Sequence, residues 1–260
     1  LQFCRYLPMV SALGATLIVQ VQAPLVALIR TMNGVAQVVA QGEALPAFDV
    51  HCPFMSLPLA FGTALDTVPS APRYVSPPAA KALVWQERLG PRQAPRVGLV
   101  WAGAPHSSRA VQRPVDVRRS IHLAQFATLS MPGAAFFSLQ KGEPAASQLG
   151  DLERAGWEGP AIKDLTAGLN DFEDTAALID QLDLVISVDT SVAHLAGALG
   201  RPVWLLNRFD TCWRWMTGRN DSPWYPTVKI FRQPAPGDWD SVLAQVRAEL
   251  QNLLERCFRL

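Results

Sequence analysis

The residues best placed to do chemistry lie in Leu182–Leu206, which reads LDLVISVDTSVAHLAGALGRPVWLL. Asp189-Thr190-Ser191 carries helix-capping chemistry between the apolar run Leu184–Val188 and a segment of helical composition, Val192–Leu199. That segment is closed by Gly200, with Pro202 just beyond. The spacing predicts a strand, a capped helix and a second strand over Val203–Leu206. The free N–H groups and dipole of a helix N-terminus attract anions, so Thr190, Ser191 and Val192 would offer amides to phosphate groups. Asp189 is ill placed against phosphate oxygens and better suited to accepting from N–H groups or a sugar hydroxyl. An ordinary capped helix carries the same residues, so the turn alone leaves both readings open. His194, one turn into the helix, reads equally as a packed or capping histidine.

Other groups fall where they would assist an anion site. Arg118-Arg119-Ser120 follows a polar loop containing His106, Ser107, Ser108 and Arg109, and an arginine there would pair with a diphosphate in bidentate fashion. Lys141 and Glu143 come directly after a predicted strand, at its carboxyl end. Asp171 is expected to cap a helix through Asp174, and the carboxylates of Asp171, Glu173 and Asp174 make that terminus a poor anion site. Trp213-Arg214-Trp215 and Trp224-Tyr225-Pro226 form an aromatic cluster that either packs against a sugar or base or seals a long loop. No Ser/His/Asp order, zinc spacing, P-loop or glycine-rich dinucleotide fingerprint is present, which weakens hydrolase, ATPase and dehydrogenase readings.

The elements that must position these groups alternate. Ahead of residue 92 the sequence predicts a helix tail over Leu1–Leu13, strands at Thr16–Val21, Gln37–Ala40 and Asp49–Cys52, and helices at Pro24–Arg30, Leu57–Phe61 and Ala79–Leu89. Gly90-Pro91-Arg92-Gln93-Ala94-Pro95 reads as a linker. Beyond it strands are expected at Val97–Trp101, Ala135–Leu139, Ala161–Lys163, Leu184–Val188, Val203–Leu206 and Val228–Phe231. Helices are expected at Leu123–Leu129, Phe172–Leu182 and Ser191–Leu199. This is the pattern of a parallel, doubly wound α/β domain. Trp239–Cys257 is amphipathic, with an apolar stripe through Val242, Val246, Leu250 and Leu254. Residues 1–92 are thus expected as one Rossmann-like lobe, 93–238 as a second, ligand-binding one, and 239–260 as a helix packing on them, with a cleft between the lobes.

Composition sets outer bounds. The chain has 260 residues, 49% hydrophobic and 17% charged, with a net charge of +1. That is ample material for a core and gives no reason to expect nucleic acid as a partner. Cys4, Cys52, Cys212 and Cys257 show no metal spacing, and free thiols in a reducing, cytoplasmic setting are the simplest reading. Tyr6–Ile29 carries no charge, but Pro8, Gly14, Gln20, Gln22 and Pro24 break it into pieces too short to span a membrane.

Taken together, DFEDTAALIDQLDLVISVDTSVAHLAGALGRPVWLL, WRWMTGRNDSPWYPTVKIFRQ and GDW, with FCRYLP and LPAFDVHCPFMSLPLAFGT nearer the start, resemble the glycosyltransferase domain that follows tetratricopeptide repeats in many bacterial proteins. That domain is similar to heptosyltransferases of glycosyltransferase family nine and, more distantly, to O-linked N-acetylglucosamine transferases. The resemblance implies a GT-B fold and inverting transfer from a nucleotide-sugar donor to a carbohydrate, lipid-linked or protein acceptor, with neither metal nor cofactor. It implies that Asp189, Thr190, Ser191, Val192 and His194 form the donor-diphosphate turn, with Ser191 where the family has glycine. Arg119 stands near the place of a family lysine, Lys141 joins the donor side, and Trp213 and Trp215 are candidate platforms. Cys212 precedes Trp213 where the repeat-linked group commonly has aspartate. The family's Gly-x-Gly-Asp loop, source of its proposed general base, would precede Leu1, so the first lobe is expected to be incomplete and the base unknown. The alternatives are a binding module that kept the fold without catalysis, and a nucleotide-sugar 2-epimerase.

Overall fold

The computed structural model describes residues 1–103 and 113–257. The chain opens with a 3-10 turn, Gln2–Tyr6, running into α1 (Leu7–Ala12), followed by β1 (Leu17–Val21), α2 (Val26–Arg30) and β2 (Val35–Ala40). β1 and β2 pair in parallel as a two-stranded sheet. Two short helical pieces, a 3-10 turn at Phe54–Ser56 and α3 (Leu57–Ala60), lie in the proline-rich stretch before α4 (Ala79–Leu89). The strand expected at Asp49–Cys52 is not formed. Those four residues are exposed and pair with nothing in the small sheet, so the alternating pattern had no partner to make it a strand.

From residue 96 onward a single parallel sheet is built from β3 (Arg96–Val100), β4 (Ala135–Ser138), β5 (Ile162–Asp164), β6 (Leu184–Val188), β7 (Val203–Asn207) and β8 (Val228–Arg232). Its order is β5-β4-β3-β6-β7-β8, so the direction of strand addition reverses between β3 and β6. Such a reversal opens a crevice at the carboxyl ends of the strands, where open α/β sheets bind ligands. β3, β6 and β7 are buried along their whole length, which is why they read as largely apolar runs. Gly98 on β3 is needed for close packing: a Cβ there would lie 2.6 Å from Leu182 and 2.7 Å from Leu139.

Helices α5 (Arg113–Arg119), α6 (Ser147–Arg154), α7 (Phe172–Ile179) and α8 (Ser191–Ala198) connect these strands. α5 and α6 were not expected from the sequence, and the segment expected as a helix at Leu123–Leu129 is a 3-10 turn. The last helix, α9 (Trp239–Cys257), lies against that turn and β8. It buries Trp239, Val242, Leu243, Val246, Leu250 and Leu254, the stripe its spacing predicts.

The opposite face of the sheet carries α7 and α8, and residues 1–92 pack against these helices, with α4 and α2 on α7. Tyr6, Leu28, Ile29, Val75 and Trp85 belong to the same buried cluster as Leu178, Ile179, Leu195, Leu205 and Tyr225. Full burial of each such side chain stabilises by roughly 1.5–3 kcal/mol. Polar ties run along the junction. Asp180 accepts from Arg73 at 2.9 Å and from Arg201 at 2.8 Å, and Lys81 pairs with the largely buried Asp174 at 2.6 Å. The amide of Tyr74 donates to the Ala198 carbonyl, and a Cβ on Gly200 would lie 2.6 Å from the Pro72 carbonyl oxygen. No helix among the described residues is long and apolar enough to cross a membrane.

Candidate functional site

The turn from β6 into α8 stands at the carboxyl edge of the sheet beside its switch point. Thr190 is the N-cap residue with extended backbone, but its side chain caps no amide. The Thr190 hydroxyl is turned back toward Ser187 Oγ, 3.1 Å away, and Ser187 itself donates to the Val188 carbonyl. The amides of the first turn of α8 are therefore left without a side-chain cap. Ser191 is exposed and Val192 half-buried. Such a terminus is receptive to an anion.

Arg119 is held against this turn. Its Nη1 donates to the Asp189 carbonyl at 2.9 Å, and its Nη2 lies 2.7 Å from the Asp116 carboxylate. Its Nε is buried and makes no hydrogen bond. The guanidinium lies over Gly103, where a Cβ would come within 2.4 Å of Arg119 Nε. The Gly103 amide donates to Ser120, whose hydroxyl donates to the Asp116 carbonyl. Upstream, the Gln140 side chain accepts from the amides of Trp101 and Ala102, at 3.2 and 2.9 Å, pinning the chain as it leaves β3. Gln140, Asp116 and Gly103 were not singled out from the sequence. The Asp116-x-x-Arg119 spacing was the available signal, but it counts only once α5 is known to be a helix.

His194 is packed rather than free. Its ring stacks on Trp215 with centroids 5.0 Å apart, and its Nδ1 lies 2.9 Å from the Tyr225 hydroxyl. Its Nε2 is 3.9 Å from the Asp189 carboxylate, an attraction that would raise its pKa. Burial first, and then nearby positive charge including Arg214 and Arg5, outweighs it and lowers the pKa from 6.5 to about 3. His194 is therefore neutral at physiological pH. Burial likewise pushes the Tyr225 hydroxyl above its usual range.

The remaining predicted residues separate. Lys141 is exposed and donates to the Leu169 carbonyl rather than to the turn. Arg118 pairs with Asp210 at 3.0 Å on the surface. The Glu143 carboxylate accepts from the amide of Ser147 at the start of α6, and Asp171 caps α7 by accepting from Asp174. Trp215 is only 1% exposed, so its face is used by His194 and not by a ligand. Trp213 is 52% exposed, lies under the Arg214 guanidinium, and stacks with Phe3 at 6.3 Å. His106, Ser107, Ser108 and Arg109 lie outside the described residues.

An uncapped helix N-terminus at the switch point of a parallel sheet, with an arginine fixed beside it, is the arrangement with which open α/β proteins bind anionic ligands. Residues 160–209, which hold α7, β6, the turn, α8 and β7, match the model of glycosyltransferase family 9 (heptosyltransferase). Protein FlbA of Caulobacter vibrioides is 31% identical over 194 residues, covering 72% of this chain and 30% of that protein. The chain thus spans about a third of the length of that curated relative. The fold is shared with ADP-heptose lipopolysaccharide heptosyltransferase II of E. coli, at 14% identity and a TM-score of 0.59 over 98% of this chain and 95% of that one. It is also shared with the family 9 glycosyl transferase of Veillonella parvula, at 14% identity and a TM-score of 0.50, over 98% and 78%.

Proposed function

We propose that the chain is the donor-binding part of a nucleotide-sugar-dependent glycosyltransferase, inverting and metal-independent. The observation that carries this reading is the uncapped first turn of α8 with Arg119 docked on the Asp189 carbonyl, inside the stretch that matches the family model. The amides of Ser191, Val192 and the following residue bind the donor diphosphate. Breaking the bond between sugar and phosphate builds negative charge on the leaving diphosphate, and fixed N–H dipoles stabilise it without reorganising. Arg119 supplies full positive charge at the same place. Asp189 accepts from a sugar hydroxyl, and Trp213 is the exposed aromatic face for sugar or base.

The acceptor belongs in the cleft of about 330 Å³ at the carboxyl ends of β1 and β2, lined by Phe3, Cys4, Gln20, Gln22, Gln41 and Phe54 among others. No carboxylate among the described residues lines it; in this reading the base that deprotonates an acceptor hydroxyl is supplied by another part of a longer, cytoplasmic protein carrying tetratricopeptide repeats. Calorimetric titration with ADP, UDP and GDP tests the reading. One of the three is expected to bind saturably without added metal, and a folded sample that binds none of them refutes it.

A further inference from the structure

A line of buried polar groups runs from the anion turn into the N-terminal part of the chain, and the donor reading makes no use of it. The Asp189 carboxylate lies 3.9 Å from His194 Nε2, and His194 Nδ1 lies 2.9 Å from the Tyr225 hydroxyl. Close by, the Tyr74 hydroxyl accepts from Arg5 Nη2 at 3.2 Å and donates to the Leu1 carbonyl at 3.3 Å. Arg5 is itself fixed. It donates to the carbonyls of Gln2 and Pro69 at 2.8 Å each and to that of Trp224. Its guanidinium lies over the rings of Tyr74 and Tyr225, 4.8 and 4.9 Å from their centroids.

An ionised carboxylate only accepts hydrogen bonds. With the Asp189 carboxylate facing Nε2 and the Tyr225 hydroxyl against Nδ1, the Tyr225 proton goes to Nδ1. The single proton of the neutral imidazole then sits on Nε2, facing Asp189 and the turn. The reverse order would aim the Nε2 lone pair at a carboxylate. Neither ring has room to turn. Trp215 stacks on the imidazole, and the Tyr225 ring lies against Gly197, where a Cβ would come within 2.5 Å.

We infer that Tyr225 is a positioning residue for the donor site, holding His194 as its Nε2–H tautomer so that an N–H and not a lone pair faces the diphosphate turn. The inference rests on the donor reading above. An N–H there donates to phosphate oxygens or to Asp189, whereas a lone pair would repel both.

The imidazole 15N resonances of the uniformly labelled chain test this directly, with His194 assigned by comparison with His194→Gln. The wild type is expected to show a protonated Nε2 and a bare Nδ1. In Tyr225→Phe both tautomers are expected to populate, with nucleoside diphosphate binding weakened about three- to tenfold, the usual worth of one hydrogen bond. Asp189→Asn, which removes the charge facing Nε2, should move the tautomer ratio in the same direction if Tyr225→Phe does not fold. A protonated Nδ1 in the wild type, or a ratio unmoved in both folded variants, overturns the inference. The tautomer is read without nucleotide. An Nε2–H imidazole in a protein that binds no nucleoside diphosphate refutes the donor reading alone, and an Nδ1–H imidazole in one that does bind refutes the positioning role alone.

Discussion

Lowering the pH should expose the cost of keeping His194 neutral. In the unfolded chain its pKa is 6.5, and folding lowers it to about 3. Between those values the unfolded chain takes up a proton that the folded one refuses, so stability is complete above pH 6.5 and is lost as the pH falls. At about pH 5 the unfolded state gains a factor of about 30, or about 2 kcal/mol, over its value at about pH 7.5. That loss is set by the unfolded pKa and hardly changes if the folded one lies a unit higher. Urea unfolding of the wild type and of His194→Gln at the two pH values isolates the effect, because every other group titrates alike in both proteins. The wild type should lose about 2 kcal/mol more than the variant over this interval. Equal losses would show that His194 accepts a proton in place, and the picture of a packed, neutral imidazole would be wrong.

Arg119→Ala should weaken binding of the preferred nucleoside diphosphate by about tenfold, as for a charge-assisted hydrogen bond, and an unchanged affinity by calorimetry would remove Arg119 from the site. Ser191→Gly keeps the amide and should bind normally, whereas Ser191→Trp should abolish binding by covering the first turn of α8. Equal affinities in the two would place the anion elsewhere. Gly197→Ala drives a methyl to within 2.5 Å of the Tyr225 ring and should destabilise by about 1–3 kcal/mol, as overpacking does. Chemical denaturation measures it, and a neutral result would mean that the ring moves aside freely.

The central unit was legible because burial on both faces leaves a plain trace. Leu184–Val188 is apolar but for Ser187 and Val203–Leu206 is apolar throughout, and the observed strands begin at the same residues and end there or one residue later. α9 was equally plain from its stripe. α5 left no trace, since Val115 and Val117 are its only apolar side chains beyond the proline and Val117 is 75% exposed. The turn's residue types were readable, but its chemistry was not. Whether Thr190 caps α8 depends on Ser187 drawing its hydroxyl away. Whether Trp215 is a platform or a wall depends on His194, and the partner of His194 lies 31 residues further along. Such pairings are properties of packing, which periodicity does not encode.

One interior serves both parts of the chain. Because Tyr6, Leu28 and Trp85 are buried against Leu178, Leu195 and Tyr225, neither part has a finished surface of its own. Cutting the polypeptide at residues 90–95 would yield two fragments, each baring a broad greasy face, and they would aggregate or reassociate rather than persist as separate domains. For the same reason the whole should melt in a single step.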